Sequence, residues 1–119
     1  MPDEFTYEIT CLLTAENALA GPSSVDLEGV FVRARARRRV AFAIYVECRC
    51  RSTKEFDLQF QLEGPASAKW SEVHLLKPSL QLMPVAFNDV TWGMMSAGAY
   101  ALHAFTNGKL AATRTFVLE

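Results

Sequence analysis

Seven basic side chains fall between residues 33 and 51, namely Arg33, Arg35, Arg37, Arg38, Arg39, Arg49 and Arg51, with a single acid, Glu47, among them. A row of guanidinium groups can track phosphates along a nucleic-acid backbone, and a neighbouring ring such as Tyr45 or Phe31 can stack on bases. The same run also reads as a solvated strand edge or turn. In that reading its charges are partly answered by acids on a neighbouring strand such as Asp57, and they discourage sheet-to-sheet pairing. The formal net charge of the 119 residues is −1, so the chain exerts no global pull on polyanions and any basic surface is local. No recognisable nucleic-acid-binding module accompanies the run.

Other residues with chemical potential are sparse. Cys11, Cys48 and Cys50 lack the Cys-x-x-Cys spacing of a zinc site. Two steps of extended strand hold the Cα atoms of Cys48 and Cys50 about 7 Å apart, at the limit of a disulfide. All three read as small packed hydrophobes. His74 and His103 are the only histidines. There is no nucleophile elbow, no glycine-rich phosphate loop and no paired-carboxylate motif. The expectation is a non-catalytic chain with no metal and no cofactor. In "TWGMMSAG", residues 91–98, Trp92, Met94 and Met95 either form an adaptable contact surface or cap the core.

The elements that must position these residues show period-two alternation. From Ala41 to Arg51, Phe42, Ile44, Val46, Cys48 and Cys50 share one face, while Tyr45, Glu47, Arg49 and Arg51 share the other. After "STKE", Phe56, Leu58, Phe60 and Leu62 alternate with Asp57, Gln59, Gln61 and Glu63, predicting a hairpin of two half-buried strands. Gly64-Pro65 ends the second of them. Asn107-Gly108, between two β-like runs, predicts a type I′ turn with Thr106 facing Lys109 and Phe105 facing Leu110. "TYEITCLLT" reads as a first strand, "AENALAGPSS" as a loop and "SVDLEGVFV" as a second strand. "LQLMPVAF" and "DVTW" read as two strands, and residues 72–76 as a strand in preference to a helix.

Arg33, Arg35 and Arg37 present a phase problem, because forward counting from Val25 and Leu27 points them inward. Burying unpaired charge costs several kcal/mol. A bulge at Gly29 would reset the phase and turn Val30, Val32 and Ala34 inward. Alternatively the strand ends near Arg35 and "RARRR" is a turn. Seven or eight short strands in one domain point to an antiparallel β-sandwich of immunoglobulin type. Tyr100, two residues after Gly98, stands where such sandwiches place a tyrosine whose hydroxyl bonds to upstream backbone. Leu102 replaces the usual cysteine, so no inter-sheet disulfide is expected.

"LEGVF", "FQLEGP" and "GAYALHAFTNGKLAATRTFVLE" together resemble a loosely defined group of uncharacterised bacterial and phage proteins with an immunoglobulin-like sandwich. The resemblance implies that fold and no activity. The acidic start and the absence of an apolar segment long enough to span a bilayer lead us to expect a cytoplasmic chain without membrane contact. The expected function is binding to a protein partner or to a second copy, through a sheet face or the end loops. Tyr45 beside the small Ala41 and Ala43 suggests one such face. The alternative is a nucleic-acid or polyanion binder using the basic segment.

Overall fold

A computed structural model of the chain describes residues 7–20, 25–34, 41–65, 67–78, 82–92 and 96–119. Ten strands run through them: β1 (Tyr7–Ala20), β2 (Val25–Val30), β3 (Arg33–Ala34), β4 (Ala41–Cys50), β5 (Phe56–Glu63), β6 (Ala68–Trp70), β7 (His74–Leu76), β8 (Leu82–Thr91), β9 (Gly98–Thr106) and β10 (Lys109–Leu118). One sheet has the order β2-β1-β4-β8, and the other β3-β10-β9-β5-β6 with β7 also on β5. All pairings are antiparallel except that of β3 with β10.

The alternation of β4 and β5 appears as burial: Phe42, Ile44, Val46, Cys48 and Cys50 lie in the core with Phe56, Leu58, Phe60 and Leu62. The two strands nevertheless do not form the expected hairpin. β4 belongs to the first sheet and β5 to the second, so the polar loop between them crosses the sandwich. Alternation decides which face of a strand is buried but not which strand lies beside it. Here two large apolar faces bury against each other instead of lying side by side. Asp57 is therefore not across from Arg49; the acid in register with Arg49 is Glu8 on β1.

Four further expectations are corrected. β1 runs on to Ala20 through the segment read as a loop, because β2 pairs with it as far as Ala20–Val25. Residues 82–91 form one strand rather than two, with a bulge between Phe87 and Val90. Pro84 is tolerated because β8 is an edge strand and needs no donor on its free side. The segment after Gly64-Pro65 forms two short strands on β5, and the second begins at His74 rather than at residue 72.

At Gly29 the fourth correction applies. Its φ is +66°, yet the β1–β2 register is unbroken across it, and Val30 and Val32 point to solvent at 50% and 62% exposure. The phase resets later, where the chain leaves the first sheet after Phe31 and joins the second at Arg33. Phe31 and Ala34 pack on the core while Arg33 stays outside. What favours glycine at position 29 is this left-handed φ, and the Glu16 side chain, 2.7 Å from where a Cβ would stand, would also have to move aside.

The C-terminal turn follows its sequence. Asn107 and Gly108 have φ of 49° and 79°, and Thr106 faces Lys109 as Phe105 faces Leu110. The Asn107 side chain also accepts the Asp57 N–H at 2.9 Å, which ties the turn to β5. At the opposite end of β9 the Tyr100 hydroxyl donates to the Ser96 carbonyl at 2.6 Å. Its ring lies over Gly64, where a Cβ would come within 2.3 Å of the ring edge. Gly64→Ala should accordingly destabilise the fold by about 1–3 kcal/mol through overpacking. Tyr100→Phe should cost about 1 kcal/mol through the lost hydrogen bond. Urea unfolding midpoints check both, and unchanged midpoints would remove this corner from the fold's supports.

Candidate functional site

Alternation along β10 puts Arg114 in phase with Phe116 and Leu118, so its side chain enters the space between the sheets. There its Nε donates to Thr14 Oγ1 at 2.9 Å and its Nη2 to the Phe31 carbonyl at 2.8 Å. Thr14, fully buried, donates to the same carbonyl at 2.8 Å. An inward charge is tolerated here because polar partners meet it. Arg114 was not singled out from the sequence, although its phase with two buried hydrophobes was the available signal. It links the sheets and leaves their outer faces as the surfaces available for recognition.

The described arginines do not converge. Arg33 sits on the edge strand β3 and pairs with Glu119. Its partner in register, Val117, adjoins Phe116, whose ring meets Phe42 near the start of β4. Arg49 lies seven residues further along β4 than Phe42, roughly 23 Å at strand rise. It is exposed, while Arg51 approaches Glu8 at 3.9 Å. Arg35, Arg37, Arg38 and Arg39 lie outside the described residues, as do Met94 and Met95.

Tyr45 shares the outer face of β4 with Arg49, but its hydroxyl donates to Glu47 at 2.8 Å. Burial, reinforced by that hydrogen bond and by the Glu47 charge, pushes its pKa from 10.0 to about 12. Nor is the Tyr45 face as open as expected. Ala43 is fully buried in a small cluster with Ala15 and Ala18, packed against Val25, Leu27 and Ala86. Asn88, in the bulge of β8, clasps this arrangement through its carboxamide, which accepts from the Ala18 N–H at 2.9 Å and donates to the Ala18 carbonyl. Trp92 is buried at the end of the core and stacks on Phe42.

An open apolar surface lies on the other sheet. Trp70 is 54% exposed and tilts against Phe105 at 5.2 Å, with Leu110, 59% exposed, in register beside Phe105. At the opposite end of the face, a groove of about 790 Å³ is lined by Val32, Pro65, Ala99, Ala101 and Val117. Between them His103 bridges three strands, with Nδ1 2.8 Å from Thr113 Oγ1 and Nε2 3.3 Å from Glu63 Oε1. Among the described residues no group of His, Cys, Asp or Glu could hold a metal ion, and no helix is long and apolar enough to cross a membrane.

The order β1-β4-β8 facing β10-β9-β5, the parallel β3 on β10, and the bonded Tyr100 on the penultimate strand together decide the architecture. The fold is an immunoglobulin-like β-sandwich. The immunoglobulin-like protein PA1606 of Pseudomonas aeruginosa superposes with a TM-score of 0.53 at 11% identity, covering 95% of this chain and 96% of that one. The alkylpurine DNA glycosylase AlkC of Pseudomonas fluorescens, solved bound to DNA containing an abasic-site analogue, superposes with a TM-score of 0.54 at 14% identity. It covers 96% of this chain, which spans 30% of the glycosylase. No family model matches the sequence, and no curated protein matches it.

In this sandwich the thiols are free, with Cys48 and Cys50 buried and Cys11 half-buried. Burial, with the neighbouring Cys50, pushes the Cys48 thiol from 9.0 to about 12. Burial also raises Cys11 and Cys50, and the Glu47 charge adds to the rise at Cys11. A thiol-specific reagent should modify Cys11 alone in the native protein and all three cysteines in denaturant, read by mass spectrometry.

The pH dependence follows with a definite sign. The folded chain keeps its Cys48 and Tyr45 protons where the unfolded chain has lost them. Stability from these groups is therefore fully present below about pH 9 and is lost as pH rises toward 12. Chemical denaturation across that range should show the fall, with a shallower slope in Tyr45→Phe and in Cys48→Ala. A flat profile in the parent chain would contradict it.

Proposed function

We propose that this chain is a non-catalytic binding module that engages a protein partner, or a second copy of itself, through the outer face of the β3-β10-β9-β5-β6 sheet. The supporting observation is the apolar surface on that face, with Trp70, Phe105 and Leu110 at one end and the Val32–Val117 groove at the other. Exposed aromatics flanked by small residues and bonded polar groups make a surface on which a partner can exclude water with few polar groups left unsatisfied. The free buried thiols fit a cytoplasmic, reducing setting.

The test is a nuclease-treated capture from the native host, together with sedimentation of the purified chain over a range of concentrations. Both are run on the parent and on a Val32→Glu/Leu110→Glu variant that charges both ends of the face. The expected result is association, with self or with a defined protein, that the variant loses. Equal behaviour of parent and variant would reject this face.

A second reading, binding of nucleic acid or another polyanion, rests on the exposed Arg49 within the basic segment. A solved chain sharing the fold is, moreover, a glycosylase held on DNA. It predicts affinity for DNA or RNA that falls steeply with salt and collapses when Arg33, Arg49 and Arg51 are changed together to Glu. Salt-independent or unchanged binding in fluorescence anisotropy would eliminate it.

A further inference from the structure

The outer face of the β3-β10-β9-β5-β6 sheet changes in relief along its strands. On β9 the outward positions run Ala99, Ala101, His103, Phe105, from small to large. β10 follows in register, with Val117 beside Ala99 and Leu110 beside Phe105. On β6, Ala68 stands beside Glu63 and Trp70 beside Gln61, and the Trp70 ring leans back on Phe105. The face is therefore raised at Trp70, Phe105 and Leu110. It is hollowed where Ala99 and Ala101 help to line the groove of about 790 Å³.

The raised and hollow parts are evenly placed. A line drawn across the sheet between Ala101 and His103 leaves Ala99 and Phe105 equally far on either side, about 10 Å each at strand rise. The same line runs between Glu63 and Gln61 on β5, between Thr115 and Thr113 on β10, and between Ala68 and Trp70 on β6. Turning a second copy by 180° about that line lays the two faces together with their strands antiparallel. Phe105 and Leu110 of each copy then sit over Ala99 and Val117 of the other, and Trp70 over Ala68. One chain thus supplies both the projection and the hollow that receives it, which is the condition for a self-complementary two-fold contact.

Polar groups and area agree with this arrangement. The half-buried Gln61 side chain makes no hydrogen bond among the described residues, and the rotation brings its amide to the second copy's Glu63 carboxylate, twice per contact. Glu63, already 3.3 Å from His103 Nε2, would then be covered with donors around it rather than alone. The remaining charges of the face stand at its margins, where water is retained: Arg33 on the edge strand β3, paired with Glu119, and Asp57 at the turn end of β5. The nine residues of β9 and the width from β10 to β6 give the face about 600 Å² in projection. Side-chain relief brings that toward the roughly 800 Å² per partner of a standard interface.

Resting on the reading of this face as the binding surface, we infer that its occupant is a second copy of the chain, docked face to face about a two-fold axis that crosses the sheet between Ala101 and His103.

Sedimentation equilibrium of the purified chain should show a dimer whose share rises with concentration. Ala99→Lys and Leu110→Glu, both at exposed positions, should each weaken it at least tenfold, because a charge then meets an apolar surface at both ends of the contact. Mixing the two variants should restore the dimer. In the mixed pair one end joins the new ammonium to the new carboxylate, and the other end is unchanged. Rescue also shows that both variants are folded. A parent chain that stays monomeric up to millimolar concentration overturns the dimer, as does a dimer that either variant leaves intact or that the mixture fails to restore. If the parent is monomeric but captures a different protein that Val32→Glu/Leu110→Glu loses, the face stands and the second copy is overturned as its occupant. Equal capture and equal sedimentation of parent and double variant overturn the face and the dimer together.

Discussion

Each sheet of this chain has one apolar face, and the two faces bury against each other. On one side stand Phe42, Ile44, Val46 and Cys48; on the other, Leu58, Phe60, Leu102 and Phe116. Burying each large side chain contributes about 1.5–3 kcal/mol, so a fold without this contact would have no core. The polar features described above serve the same contact. Arg114 holds the sheets together at Thr14 and Phe31, Tyr100 seals one end against Gly64, and Asn107 fastens the last turn to β5.

Because the inner faces are committed to the core, recognition falls to the outer faces and the margins. The edges are poorly suited to it. β8 carries Pro84 and a bulge, and β2 presents Asp26 and Glu28 to solvent; all of these discourage the addition of another strand. Exposed apolar side chains stand instead on the outer face of the β3-β10-β9-β5-β6 sheet, Trp70 and Leu110 among them.

Much of this was legible in the sequence wherever a local rule acted alone. The Asn107-Gly108 turn fixed its register to the residue, and the inward sets of β4 and β5 followed from their alternation. The tyrosine after Gly98 made the expected bond. Where long-range choices decide, the sequence misled. Nothing local reveals that β4 and β5 lie in different sheets, that Ala43 is covered by the end of β1, or that Val32 faces out because the chain changes sheets there. Of the candidate site residues, Arg33 and Arg49 stand in different sheets, while Arg35, Arg37, Arg38 and Arg39 lie outside the described residues. Trp92 was noted only as a core cap or contact residue, and Arg114 was passed over because a single arginine among hydrophobes looks unremarkable.

The pairing of β3 with β10 joins residues far apart in the chain, Arg33 with Val117. Strands β1, β2, β4 and β8 are all made once Thr91 has been synthesised, but β10 continues to Leu118. β5, β6 and β7 also precede β8, so what is still missing at that point is the β9–β10 hairpin that completes the second sheet. That hairpin also supplies Arg114 and Phe116. The core is thus closed from the C-terminal side, and a chain lacking that hairpin would leave the inner faces of β4 and β5 without Leu102 and Phe116.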